Sequence, residues 1–96
     1  MPNVDGEVVH EPAGGRFVDR SGGSESRLIY IAGGEGLVEF QSTWVDPSAR
    51  GCGVGEALVL AGFEWAKGEG LKVIPTCSFV RTVVGRHPEY RSLLER

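Results

Sequence analysis

The chain has 96 residues, ten basic and thirteen acidic, for a formal charge of −3; 41% of it is apolar and fifteen residues are glycine. That length holds one domain, residues 1–96, and a chain of this size buries roughly 60–70% of its unfolded surface. The apolar fraction excludes wholesale disorder, the acidic balance argues against a nucleic-acid partner, and the glycines, about twice the ordinary fraction, follow no collagen-like period and need local explanations.

Residues 7–10 read as a short strand, 11–15 as a turn around Pro12, Gly14 and Gly15, and 16–19 as a second short strand. Residues 1–15 are the part of the domain expected to be most loosely held, and 21–24, Ser-Gly-Gly-Ser, form a loop. Residues 27–32 are rich in β-branched and aromatic side chains and predict a strand. The glycines of 33–36 predict a hairpin turn, and 37–45 the returning strand. Strict alternation along it puts Val38, Phe40, Ser42 and Trp44 on one face, and Leu37, Glu39, Gln41, Thr43 and Val45 on the other.

After a loop over 46–55 the period changes. Val54, Leu58, Ala61 and Trp65 fall at i, i+4, i+7 and i+11, the stripe of a helix over about 55–69, with Gly70 just past its last turn. Residues 71–78 predict a strand that Pro75 weakens or places at an edge. Residues 79–86 predict a short helix bounded by Pro88, and Tyr90, Leu93 and Leu94 a last turn or two packing back. The predicted fold class is α/β (α+β): an antiparallel β-meander, then helix–strand–helix, in a sheet of mixed direction.

The apolar runs at 28–32 and 57–61 are far shorter than the ~18 residues a membrane span needs, and the first ten residues lack the pattern of a secretory signal. Cys52 and Cys77 form neither a disulfide framework nor zinc-ligand spacing, so no metal is expected. The expectation is a soluble, cytoplasmic protein with free thiols and no membrane partner.

Arg50-Gly-Cys-Gly-Val-Gly55 is the most informative stretch. Its alternating glycines remove side chains where a strand feeds a helix, so backbone N–H groups can approach an anion and the helix start adds about half a positive charge. Arg50 adds a full one. A pyrophosphate suits such a loop, although a glycine-rich turn that merely lets strand and helix pack has the same pattern. Glu56 follows Gly55 where a P-loop requires lysine, and the spacing G-x-G-x-G after a meander is not the dinucleotide fingerprint.

Arg50-x-x-Gly53-x-Gly55 between a meander and an amphipathic helix resembles the acetyl-CoA motif of the GCN5-related N-acetyltransferases, Q/R-x-x-G-x-G/A. The chain is most similar to their small single-domain branch. There a strand ends in His-Thr, a short Pro-containing loop leads to the glycine motif, and a helix, Val-x-Pro-x-Cys and a His-Pro-x-Tyr tail follow. Thr43, Pro47, Arg50-Gly51, Gly53, Gly55, Val73-Ile-Pro75-Thr-Cys77, Phe79-Val80 and His87-Pro-Glu-Tyr90 match, covering about 17–94.

The resemblance implies acetyl-CoA as cosubstrate, a pantetheine arm along the Val45 strand, and a pyrophosphate on the amides of Gly51, Cys52, Gly53, Val54 and Gly55, with Arg50 and Phe79 completing the cofactor site. It also implies a thioester held between splayed strands, attacked by an acceptor amine while a backbone N–H polarises the carbonyl. Ser42, Thr43 and Cys77 are then the catalytic candidates. Two departures bear on catalysis: Ser42 stands where the branch has histidine, and Val83 where a tyrosine is frequent. Serine is no general base near neutral pH, which leaves Glu39 or water to take the amine proton.

Each candidate has a plainer role beside the functional one. Cys77 reads as a residue that meets the thioester or as a small buried apolar side chain. Cys52 reads as a spacer. His87 reads as a surface or capping residue, His10 as exposed, and Trp44 and Trp65 as core or cleft wall. Arg86, Arg91 and Arg96 read as a solvated helix face or as a contact for the 3′-phosphate of CoA. The functional readings are therefore an N-acetyltransferase, a CoA or acyl-CoA-binding module with weak or no catalysis, and a small interaction domain, as monomer or homodimer.

Overall fold

A computed structural model of the protein describes residues 8–20 and 24–95, so Glu7 of the first predicted strand, the loop residues 21–23 and Arg96 lie outside it. Five strands form one sheet in chain order. They are β1 (Val8–Glu11), β2 (Arg16–Asp19), β3 (Ser26–Ala32), β4 (Leu37–Trp44) and β5 (Lys72–Pro75). The first four pair antiparallel. Helix α1 (Val54–Glu69) carries the chain across to β5, which pairs parallel to β4. Helix α2 (Ser78–Arg86) and a 3-10 turn, Pro88–Leu93, complete the order. The mixed sheet is the one the sequence predicts, within a residue or two at most element ends.

The alternation predicted for β4 holds only to Phe40. Ile29 faces Ser42, but the next residue, Tyr30, faces Phe40, so Gln41 is surplus to the β3–β4 ladder. A bulge of this kind exchanges the two faces of the strand beyond it. Val38 and Phe40 are buried, whereas Ser42 and Trp44 are exposed. Thr43 instead stands opposite Leu28, a core residue, and Val45 packs against the core. Thr43 and Val45 thus face the helices, and Ser42 and Trp44 the opposite, bare side of the sheet, which none of the described helices covers. Alternation in the sequence is blind to an inserted residue when its neighbours, Gln41 and Ser42, are both polar.

The core lies between the sheet and α1, with Phe17, Leu28, Val38, Phe40 and Val73 on one side and Leu58, Val59 and Phe63 on the other. Of the helix stripe predicted from Val54, Leu58, Ala61 and Trp65, the first two are buried in the core, whereas its second half is rotated from the observed contact. Ala61 and Trp65 flank the contact and are half-buried, while Val59, Gly62, Phe63 and Ala66 fill its centre. The reason is Gly62. A Cβ there would lie 2.9 Å from Leu28 Cδ2 and 3.0 Å from Phe40 Cζ, so the closest approach of helix to sheet falls on a residue with no hydrophobic signal of its own.

Both sheet edges are fastened. On β1, His10 is not the exposed residue expected from its polar neighbours. Its ring stacks on Phe17 at 4.2 Å, meets the edge of Trp65 at 4.9 Å and shares a 2.5 Å hydrogen bond with the Tyr30 hydroxyl. Burial in this cluster lowers the His10 pKa, with Glu69 opposing. The other edge, β5, accommodates Pro75 as predicted. Its outer side is met by Leu94, bridged to Val73, and by the Glu95 N–H, which donates to Val73 O at 2.8 Å.

Gly62→Val is expected to lower stability by about 1–3 kcal/mol in denaturant melts, the usual penalty for overpacking. Gly68→Ala is the matched control. Its Cβ meets nothing within 4 Å, and it is expected to raise stability by up to about 1 kcal/mol through helix propensity alone.

Candidate functional site

The loop from β4 to α1 is built by local hydrogen bonds. Asp46 accepts from Ser48 N–H at 3.0 Å and from the Ser48 hydroxyl, which starts the 3-10 turn Pro47–Ala49. The Ser48 hydroxyl, then its N–H, hold the Asp46 carboxyl below the usual carboxylate range against the effect of burial. Arg50 follows. Its Nε donates to Val45 O at 3.0 Å, and its guanidinium sits 5.2 Å from the centre of the Trp44 ring. A full positive charge is thereby pinned across the end of β4.

The three glycines divide into two kinds. Gly51 and Gly53 have φ of 84° and 81°, and a Cβ built at either meets nothing within 4 Å. They are glycine because of backbone conformation, and they lie beneath open space. Gly55 has an ordinary helical φ, but a Cβ there would fall 3.0 Å from Val45 and 3.1 Å from the Phe79 ring. It is glycine because α1 presses on β4 and α2. The sequence groups all three either as one anion-binding loop or as one packing turn; in the structure 51–53 are the exposed part of the loop, and Gly55, with Val45 and Phe79, is its packed floor. Cys52, at the apex, is an exposed free thiol.

Gly53 is the N-cap of α1 and no side chain caps it. The first intrahelical bond runs from Ala57 N–H to Gly53 O at 3.0 Å. The N–H groups of Val54, Gly55 and Glu56 therefore precede the helical ladder, and with the helix dipole they give this end a positive potential.

The second half of the site is where β4 and β5 part. Their ladder runs from Leu37 opposite Lys72 to Phe40 opposite Pro75, and the last link is Cys77 N–H to Phe40 O at 3.1 Å. Beyond it β4 has bulged and the chain turns into α2. On the helix side of the parting, Thr43 Oγ1 lies 3.5 Å from Cys77 Sγ. On the bare side, the Thr76 hydroxyl donates to Glu39 Oε2 at 2.6 Å. Burial pushes the Cys77 thiol up, but the Thr43 hydroxyl and the backbone N–H groups of Val80 and Phe79 outweigh it and hold the thiol below its ordinary value. Cys77 is thus the N-cap of α2 and a half-buried thiol more acidic than an ordinary one.

The structure brings Thr43 and Cys77 together, and Val45, Gly55 and Phe79 together. It does not bring Ser42 to Cys77: Ser42 is exposed on the opposite face of β4. Glu39 gains a partner, Thr76, that alternation does not reveal. The Glu56 contacts are also missed by sequence reasoning. Arg86 Nη1 lies 2.8 Å from Glu56 Oε1, and His87 Nε2 bonds to the other oxygen. A glutamate in the first turn of a helix was the available signal.

A glycine-rich helix start beside two parting strands invites comparison with known proteins, and residues 16–93 match the family model described as GCN5-related N-acetyl-transferase. The chain belongs to the GCN5-related N-acetyltransferase family. It is also 39% identical over 66 residues to a mycothiol acetyltransferase of Amycolatopsis mediterranei (strain U-32). That alignment covers 69% of this chain and 17% of the relative, so the shared part is a small fraction of the larger protein. Among the described residues of this N-acetyltransferase-family chain, no helix is long and apolar enough to cross a membrane. Among them, too, no group of three His, Cys, Asp or Glu side chains is placed to hold a metal ion.

In a Cys52→Ser background, the pH midpoint for alkylation of Cys77 by iodoacetamide is expected to lie below that of a free cysteine thiol measured in the same way. Thr43→Val should move that midpoint upward, because the Thr43 hydroxyl favours the thiolate. A midpoint at or above the ordinary value would contradict the observed hydrogen bonding.

Proposed function

We propose that the protein transfers the acetyl group of acetyl-CoA to an amine. The observation that carries this reading is the parting of β4 and β5, with Thr43 and Cys77 on its helix side and Glu39 and Thr76 on its bare side. A cosubstrate and an acceptor can then reach one point from opposite faces.

The pyrophosphate of CoA rests on the amides of residues 51–55, with Arg50 adding positive charge on the strand side. The pantetheine arm passes over Val45, Gly55 and Phe79, where the missing Gly55 side chain keeps the floor level. The thioester carbonyl enters the parting, and a backbone N–H of β4 beyond the bulge polarises it. The amine approaches from the bare side, beside Ser42. Glu39, directly or through one water, takes its proton as the nitrogen–carbon bond forms. The tetrahedral intermediate collapses by breaking the carbon–sulfur bond. Cys77 returns a proton to the departing CoA thiolate and is itself reprotonated from solvent, with Thr43 orienting it. Two free cysteines and this cosubstrate suit a reducing, cytoplasmic setting.

Calorimetry with acetyl-CoA tests the binding half. Gly53→Ala, which forces an L-residue to φ 81° without creating a collision, is expected to weaken binding about tenfold, consistent with strain of roughly 1–2 kcal/mol at such a position. No heat and no thermal stabilisation at about 1 mM ligand, which bounds any affinity as weaker than millimolar, would overturn the reading. A thiol-release assay over a panel of amines tests the catalytic half. Glu39→Gln is expected to bind acetyl-CoA normally and to lose about a hundredfold in turnover, the lower range for a general base. Turnover undiminished in Glu39→Gln would remove Glu39 from the mechanism. Normal binding with no turnover on any amine would favour the binding-module alternative.

A further inference from the structure

Glu56 puts a negative charge where the proposed cofactor needs a positive field. It is the third residue of α1, directly after Gly55. A carboxylate there stabilises the helix start, yet it repels a pyrophosphate at the same helix start. The side chain, however, is taken up by the far end of α2. Arg86 Nη1 holds one oxygen at 2.8 Å and His87 Nε2 holds the other. His87 is anchored in turn: its own N–H donates to Val83 O and Val84 O at 3.0 Å, and Pro88 follows it. Hydrogen bonding to His87, followed by the nearby Arg86 charge, holds the Glu56 carboxyl below its usual range although burial opposes. Arg50 cannot do this work, because its guanidinium is committed to Val45 O and the Trp44 ring.

We propose that Arg86 and His87 are positioning residues of the phosphate site: both hold the Glu56 carboxylate against α2, and the Arg86 charge offsets it, which leaves the start of α1 open to an anion. The proposal rests on the placement of the CoA pyrophosphate given above. It separates Arg86 from a residue that touches a phosphate itself. If Arg86 acts through Glu56, losing both charges restores binding; if it touches the ligand, losing both does not.

The test is calorimetric titration of CoA into the wild type, Arg86→Ala, Arg86→Gln, Glu56→Gln and the double variant Glu56→Gln/Arg86→Ala, with thermal melts to show that each is folded. The Arg86 side chain is 55% exposed, so both single replacements are expected to fold. Either should weaken CoA binding about three- to tenfold at low salt, the scale of one uncompensated charge at this range. The deficit should shrink at about 0.5 M salt, where screening acts within a few ångström. Glu56→Gln should bind at least as tightly as the wild type, and the double variant should come within about twofold of it, because no net charge remains to act. Wild-type affinity in both Arg86 single variants, or a double variant as weak as Arg86→Ala, would overturn the proposal. A wild type that fails to bind CoA would instead overturn the placement on which it rests.

Discussion

Gln41 has no partner on β3, and that mismatch decides which way every later residue of β4 faces. Before it, the strand presents Val38 and Phe40 to the core; after it, Thr43 and Val45. Without the surplus residue Ser42 would point at α2 and Thr43 would stand on the bare face, away from Cys77. The bulge also ends the β4–β5 ladder at Phe40, because a strand that bends there cannot keep its parallel neighbour in register. One insertion therefore opens the cleft and chooses its lining. The floor that Val45, Gly55 and Phe79 form follows from the same event, since Val45 reaches Gly55 only on the helix side.

An acidic chain can hold a polyanion when its charges are sorted by position. Arg50 is fixed on the strand side of the loop by a carbonyl and an indole, and Glu56 on the helix side is matched by Arg86 and His87. The field at the start of α1 is then set mainly by peptide dipoles and uncapped N–H groups. Those donors are held by the helix and need no reorganisation when a ligand arrives, whereas a cluster of long basic side chains would lose rotamer freedom on binding.

Much of this was legible in the sequence. Element order, the mixed sheet, the edge position of Pro75 and the glycine-rich helix start follow from period changes and breaker residues. What stayed hidden shares one physical cause: contacts made where sequence patterns carry no hydrophobic signal. Gly62 lies at the centre of the helix–sheet contact, yet glycine adds nothing to an apolar stripe. Gln41 and Ser42 are both polar, so alternation cannot show which is extra. His10 has polar neighbours in the chain but aromatic ones, Phe17, Tyr30 and Trp65, in space. The pairing of Glu39 with Thr76 joins residues brought together only by the crossover through α1.

β5 has one ladder neighbour, β4, and its other side is met by Leu94 and Glu95. The hairpins of β1 to β4 close over short loops, whereas β5 docks only after the whole of α1 has crossed the sheet, and contacts of long sequence separation form slowly. The meander is thus a template that can assemble early. The second wall of the cleft is a late arrival, held by residues that leave the ribosome after every strand it must find.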